Sequence, residues 1–189
     1  MNITSYADLA VRLVNTAVLA DDEPDRLGTA ESFRALATEF AASAGPVTRH
    51  DLAALRQLRA ELVLIFAAAA AGLPQDAADR LNALLIQHPV HPELVSHDGD
   101  GWHLHLAATG SLTGRYAAAA VYGLALFVAQ SGTGGLGSCA IASCQRVFLD
   151  AGAGQLNRYC GEHDAARTNV TAIEPGRRGA DGPAAHAAG

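Results

Sequence analysis

All three cysteines of this 189-residue chain lie within 22 residues near its end, at Cys139, Cys144 and Cys160. His163 and Asp164 follow closely after the last of them. The first residues lack the basic segment and apolar run of a secretory signal, so the cytoplasm is the expected location. Disulfides are uncommon in that compartment. The cysteine cluster therefore predicts a metal site rather than a set of cross-links.

The residue types in this cluster suit zinc. Three thiolates and one neutral imidazole complete a tetrahedral shell, which makes a zinc site structural rather than catalytic. Cys160 and His163 are three residues apart where a helix is predicted to begin, so both can reach one ion. Asp164 is the alternative fourth ligand, but nitrogen suits a shell of three sulfurs better than carboxylate oxygen does. The sequence thus predicts one structural Zn²⁺ ion, with free thiols and no metal as the other possibility.

The rest of the chain is mainly helical by its apolar periodicity. Spacing of three and four residues predicts helices over about 6–19, 29–42, 75–87 and 112–129, and a long helix capped by Thr48 or Asp51 that ends at about residue 71. Alternation on both sides of residues 98–101, a Gly/Asp turn, predicts a β-hairpin at about 93–106. The expected fold class is α+β: a helical domain over residues 1–130 with one small hairpin.

A second, smaller module is expected after residue 138. Four glycines between Ser131 and Ser138 predict a flexible linker at the domain boundary. Residues 139–173 then predict a knuckle, short strands at 147–149 and 157–159, and a helix from about residue 162. Such a short segment cannot fold on an apolar core of its own and would need its metal. The tail, residues 174–189, is predicted to be disordered.

Two further pairs of polar residues have two interpretations each. His103 and His105 face the same way on a strand and are a second metal candidate. With no carboxylate placed beside them, exposed strand histidines are the favoured interpretation. Asn15 and Thr16 interrupt the first apolar pattern. They could line a pocket, but hydrogen bonds to the following loop are favoured.

The charge and hydropathy of the chain limit the kinds of partner that it is expected to bind. The net charge is −6, and residues 139–189 hold five acidic residues and five arginines. Bulk charge therefore does not draw the C-terminal module to nucleic acid. The apolar run at 62–71 is shorter than the roughly 20 residues that cross a bilayer, so no membrane segment is expected.

Several stretches resemble one bacterial family. Residues 9–16 resemble the opening motif of the ABATE domain, and residues 81–85 and 98–102 lie where its members have similar segments. In the C-terminal part, the Cys139-x4-Cys144 pair and residues 147–150, 158–160 and 167–172 resemble the CGNR zinc finger. In that alignment Asp164 takes the place of the finger's fourth cysteine, and His163 lies one residue earlier.

The resemblance implies a stress-associated transcription regulator. Its N-terminal domain would sense a ligand or stress signal, and the finger would contact DNA, with a homodimer adding phosphate contacts. The arginines that would then contact DNA are Arg146, Arg158, Arg167, Arg177 and Arg178. The alternative is a small-molecule or protein-binding module with a purely structural finger. A zinc enzyme, with Asp164 as exchangeable ligand and His163 as base, is the least favoured, so no enzyme and no catalytic residue is predicted.

Overall fold

The structure is a computed structural model that describes residues 3–17, 25–38, 45–96, 101–107, 110–150, 152 and 158–163. The helices are α1 (Ile3–Val14), α2 (Ala30–Leu36), α3 (Arg49–Ala70), α4 (Pro74–Gln87) and α5 (Leu112–Ser131). The strands are β1 (His91–Ser96), β2 (Trp102–Ala107), β3 (Leu136–Ser138) and β4 (Val147–Leu149). This mainly helical fold with small antiparallel sheets confirms the predicted fold class.

Threonine side chains begin two of the helices. Thr29 accepts a hydrogen bond from the Ser32 amide at the start of α2. Thr48 accepts from the Asp51 amide at the start of α3, and Asp51 in turn accepts from the Thr48 amide. These reciprocal bonds satisfy amides that the first helical turn leaves unpaired. Helix α2 ends at Leu36, earlier than predicted, and residues 39–44 lie outside the described ranges.

The core is centred on the contact between α1 and α5, the most extensive between any two described elements. The buried Tyr116 hydroxyl of α5 donates to the Leu9 carbonyl of α1 at 2.8 Å. Phe33 of α2 packs edge-on against the Tyr116 ring, with centroids 5.3 Å apart. At Gly123, a Cβ atom would collide with the Tyr6 backbone, so the close approach of the two helices depends on this glycine.

Helix α5 corrects the expectation that no segment is long and apolar enough to cross a membrane. By length and composition this 20-residue helix qualifies. However, 61% of its apolar window is buried inside the protein, mainly against α1. The central helix of a protein core has the same properties, so α5 is weak evidence for a membrane segment.

The first hairpin forms close to its predicted bounds. Strands β1 and β2 are antiparallel, with Ser96 opposite Trp102 and Pro92 opposite Leu106. Leu106 packs against the core, but Trp102 is 74% exposed. The turn at 97–100 and the side chains of His103 and His105 lie outside the described part. The second metal candidate therefore stays a prediction.

The glycine-rich stretch is packed structure, and its prediction as a flexible linker is wrong. After α5 the chain forms a short 3-10 helix at Thr133–Gly135 and then β3, where Leu136 is buried in the same core as the helices. A Cβ atom at Gly137 would collide with the Phe148 ring on the facing strand. Glycine is needed here for close packing rather than for flexibility.

The pairing of β4 also differs from expectation. Strand β4 forms at the predicted residues, but it pairs with β3, Gly137 lying opposite Phe148. The return strand predicted at 157–159 is not formed by Arg158 or Tyr159, and Asn157 lies outside the described ranges. Among the described residues, the partner of β4 is β3, which follows the glycine-rich stretch.

Candidate metal centre

The β3–β4 hairpin carries the first half of the site. Cys139 follows directly after β3, and its amide donates to the Arg146 carbonyl just before β4 at 2.9 Å. Within the loop, the Cys144 amide donates to the Ile141 carbonyl at 2.8 Å. These bonds fold the loop into a tight knuckle whose shape places Cys139 and Cys144 together.

The second half is a helical turn at residues 161–163. The His163 amide donates to the Cys160 carbonyl at 2.9 Å, which brings the Cys160 and His163 side chains to one side of the turn. The Ala140 amide donates to the Arg158 carbonyl at 2.8 Å and joins this segment to the knuckle. The two halves therefore meet through backbone contacts as well as through their side chains.

The four side chains lie close enough together to hold a metal ion. The ligand atoms of Cys139, Cys144, Cys160 and His163 are all within 4.8 Å of one another. Nδ1 of His163 lies 3.2 Å from Sγ of Cys139 and 3.4 Å from Sγ of Cys160, and the Sγ atoms of Cys144 and Cys160 are 3.9 Å apart.

The three distances that involve His163 Nδ1 or join Cys144 and Cys160 are close to those around a tetrahedral zinc ion. Bonds of about 2.3 Å to sulfur and about 2.0 Å to nitrogen would place two sulfurs about 3.8 Å apart, and sulfur and nitrogen about 3.5 Å apart. The donor chemistry fits as well, because thiolates and imidazole are preferred ligands of zinc. The cluster is thus compatible with zinc in both geometry and chemistry.

The local electrostatics differ between the thiols. Burial opposes ionisation of Cys139, but hydrogen bonds from the Cys160 and Ile141 backbone and from His163 outweigh it and lower the pKa of the Cys139 thiol to about 6. Burial and the neighbouring sulfurs raise the pKa of Cys144 to about 11. A divalent cation among these sulfurs would favour the thiolate form of each.

Asn15 joins the metal-site hairpin to α1. Its side-chain Nδ2 donates to the Val147 carbonyl at 3.0 Å, and its Oδ1 accepts from the Val147 amide at 2.9 Å. The favoured interpretation, bonds to the following loop, is therefore wrong for Asn15. Thr16 instead donates to the Leu13 carbonyl at 2.6 Å and accepts from Arg59 at 3.0 Å.

The comparison with protein families covers most of the chain. The model of the ABATE family, described as "Putative stress-induced transcription regulator", matches residues 7–130. The chain belongs to the ABATE family. None of the curated proteins matches it. The matched residues run from α1 almost to the end of α5. The metal cluster of this ABATE protein therefore lies C-terminal to the matched region.

The ABATE helices also border two open cavities. One, of about 520 Å³, lies between α3 and α4 and has Leu58 and Leu84 on its walls with Glu61 and Asp79 beside them. The other, of about 160 Å³, lies beside the starts of α3 and α5. His88 lines both, and burial lowers its pKa. The larger cavity is of a size that holds small molecules.

The predicted DNA-contacting arginines have different surroundings. Arg146 forms an ion pair with Glu162, at 2.9 Å, and its side chain is 21% exposed. This pair connects the knuckle to the helical turn. Arg158 is exposed. Arg167, Arg177 and Arg178 lie outside the described residues, as does Asp164, the alternative fourth ligand.

Sequence reasoning found the cysteine–histidine cluster but missed the contact that attaches its hairpin to α1. Cys139, Cys144, Cys160 and His163 are predictable from residue type and spacing alone. The contact between Asn15 and Val147 spans 132 residues, and no local pattern contains that information. The sequence offered two indirect signals at Asn15, a polar residue where the apolar face of α1 ends and the resemblance of residues 9–16 to the ABATE opening motif.

Proposed function

We propose that this ABATE protein is a cytoplasmic, zinc-dependent DNA-binding transcription regulator whose helical domain senses a ligand or stress signal. The observation that carries the proposal is the position of the Cys139–His163 cluster. Its hairpin shares a core with the helices, through Leu136 and Val147. A change in the helical domain can therefore reach the metal centre without crossing a flexible linker.

Zinc has a structural role in this proposal. Cys139, Cys144, Cys160 and His163 bind one ion, and with four protein ligands no position is open for substrate. This shell supports a regulator rather than a zinc enzyme. Between residues 139 and 163 the described part buries few side chains, so coordination supplies stability that apolar packing does not.

DNA would be contacted by Arg158, with Arg167, Arg177 and Arg178 adding phosphate contacts from the C-terminal residues. Arg146 is assigned mainly to the Glu162 ion pair that holds the finger together. Because residues 139–189 have as many acidic residues as arginines, a single copy would bind weakly. A homodimer would double the contacts and give useful affinity.

The sensing role is assigned to the cavity between α3 and α4. Its walls combine the buried Leu58 and Leu84 with charged side chains, and Arg80 there pairs with Glu61 and Asp76. This mixed lining favours a small organic molecule with an apolar part and a polar group. Helix α3 contacts both α4 and β3, so it lies between this cavity and the metal-site hairpin. Ligand binding would act on the finger through that helix.

A second candidate function is a binding module whose finger is purely structural. The Arg146–Glu162 pair and the balanced charge of residues 139–189 favour it. In that case the helical domain binds a small molecule or a protein, and zinc only fastens the C-terminal segment to it.

DNA retention separates the two candidates. Zinc-loaded protein is applied to immobilised genomic DNA across a salt series, alongside Arg158→Glu. Arg34→Glu, a reversal at an exposed position of α2, is the matched control. We expect steeply salt-dependent retention that Arg158→Glu weakens and Arg34→Glu does not. Equal retention of both variants would favour the structural finger.

A further inference from the structure

Asn15 contacts β4 in the manner of a neighbouring strand. Its side-chain amide bonds to both the N–H and the C=O of Val147, and those groups point away from β3 on the open edge of the sheet. A side-chain amide has the same donor and acceptor as a peptide group, which is why asparagine can take this place. The carboxylate of aspartate could accept from the amide but could not donate to the carbonyl.

The anchored residue adjoins the metal knuckle. Val147 follows Arg146, whose carbonyl accepts from the Cys139 amide, and lies three residues after Cys144. Its side chain is buried in the helical core. Fixing the Val147 peptide therefore fixes the end of the loop that positions two of the four candidate ligands.

Asn15 itself is held firmly. Its amide donates to the Val11 carbonyl at 2.9 Å and continues the hydrogen bonds of α1. The neighbouring Leu13 and Val14 are buried in the core. Among the described residues, Thr16 bonds within the helical region, to Leu13, Arg26 and Arg59. The Asn15 side chain thus connects a well-packed helix to the metal-site loop.

We infer that Asn15 is a positioning residue of the metal centre, which acts through Val147 and couples metal binding to the order of α1. The inference rests on the proposed zinc role. Groups that hydrogen-bond the metal ligands themselves typically change metal affinity by about 10–100-fold when they are replaced. Asn15 bonds Val147, three residues after Cys144, so an effect near the lower end of this range is expected. This coupling is reciprocal. If the Asn15–Val147 contact strengthens zinc binding, bound zinc stabilises that contact between α1 and β4 by the same free energy.

The test compares the full-length wild type with Asn15→Asp and Asn15→Ser, and with Thr16→Ala as the matched control. Zinc affinity is measured by competition with a chromophoric chelator, and Tm is measured with and without zinc. The absorption spectrum of the Co²⁺-loaded protein reports the ligand geometry. We expect Asn15→Asp to weaken zinc binding by about 10-fold or more and to change the Co²⁺ spectrum. Thr16→Ala should lower both Tm values equally and leave zinc affinity within about twofold, since its bonds do not reach the hairpin.

Three outcomes overturn the inference. If wild type binds zinc and both Asn15 variants bind it equally well, Asn15 has no positioning role while the zinc proposal stands. An equal loss of affinity in Thr16→Ala would assign the effect to general destabilisation of α1. If wild type binds no zinc, the positioning role fails together with the metal role. Asn15→Ser provides the same comparison with a smaller perturbation if Asn15→Asp does not fold.

Discussion

The helical region and the metal-site region are held together by different forces. Helices α1, α3 and α5 bury large apolar side chains such as Phe66, Tyr116 and Leu124 against one another. In the described part of residues 139–163, the buried residues are Val147 and Cys160. The helical region can thus be stable through apolar burial, whereas the metal-site region depends on coordination and on its attachment to the helices.

This difference predicts that the two regions respond to different substitutions. Changes in the α1–α5 contact should mainly lower the stability of the whole chain and reach the metal site only through the Asn15–Val147 contact. Changes in the cluster should abolish metal binding and leave most helical structure in place. Asn15 is the exception, because its contacts belong to both regions.

The largest effect is expected from Cys160→Ser. Cys160 is the most buried of the four candidate ligands, and the total binding energy of a structural zinc ion is about 10–16 kcal/mol. Loss of one thiolate should weaken zinc binding by several orders of magnitude, while the far-ultraviolet circular dichroism of the helices is largely retained. Ser143→Ala, at an exposed knuckle position, is the control and should bind zinc like wild type. Tight zinc binding by Cys160→Ser would remove Cys160 from the ligand set.

The next effect is expected from Gly123→Ala. The added Cβ would collide with the Tyr6 backbone and force α1 away from α5. Overpacking of this kind costs about 1–3 kcal/mol, which urea unfolding of the zinc-loaded protein can measure. Gly134→Ala, where a Cβ meets no neighbouring atom within 4 Å, is the control. Equal stability of the two variants would show that the helix contact is looser than described.

A smaller, pH-dependent effect is expected from Asp25→Asn. Arg59 donates to both carboxylate oxygens of Asp25, at 2.7 and 2.8 Å. The Arg59 hydrogen bond is the main reason that the pKa of Asp25 falls to about 2. Since this is below the usual value of about 4, the pair stabilises the fold above about pH 4, and that contribution is lost as the pH falls towards 2.

The difference in stability between Asp25→Asn and wild type should itself depend on pH. Above pH 4 the variant should be less stable than wild type by about 1–2 kcal/mol, because the pair is only partly buried. Near pH 2 the two proteins should converge. Urea unfolding of metal-free protein between pH 2 and 5 measures this without interference from zinc loss. A constant difference across that range would assign the effect to packing rather than to charge.

The smallest effect is expected from Arg146→Gln. This change removes the ion pair with Glu162, whose side chain is 65% exposed. Exposed pairs contribute about 0–1 kcal/mol, so zinc affinity should fall by no more than about fivefold and less at high salt. Glu162→Gln should give the same loss, and the double variant should lose little more. Additive losses would mean that the two side chains act independently.

The sequence contains enough information for the helices and for the cluster, because both follow local rules. Apolar residues at helical spacing predict α3 and α4 closely, and Thr48, one of the two predicted caps of α3, is the cap in the structure. The Cys139-x4-Cys144 and Cys160-x2-His163 spacings bring the candidate ligands together through one knuckle and one helical turn. These features need no knowledge of distant contacts.

The incorrect predictions concern features that depend on contacts between residues distant in sequence. Glycines predict a loop, but Gly137 lies in a strand because Phe148 packs over it. The apolar composition of α5 went unrecognised as a possible membrane span, and its burial against α1 appears only in the folded chain. The Asn15–Val147 contact similarly requires the tertiary structure. Local patterns thus predict the elements, and long-range packing decides how the metal-site region is attached.

The most direct test of the proposed centre is X-ray absorption spectroscopy of the zinc-loaded, full-length protein, with zinc content measured by elemental analysis. We predict one zinc ion per chain, with three sulfur ligands and one nitrogen ligand that shows the outer-shell scattering of an imidazole. His163→Ala should lose the imidazole signal and bind zinc more weakly. A wild-type protein without stoichiometric zinc, or with three sulfurs and an oxygen but no imidazole, would contradict the assignment of Cys139, Cys144, Cys160 and His163 as the metal centre.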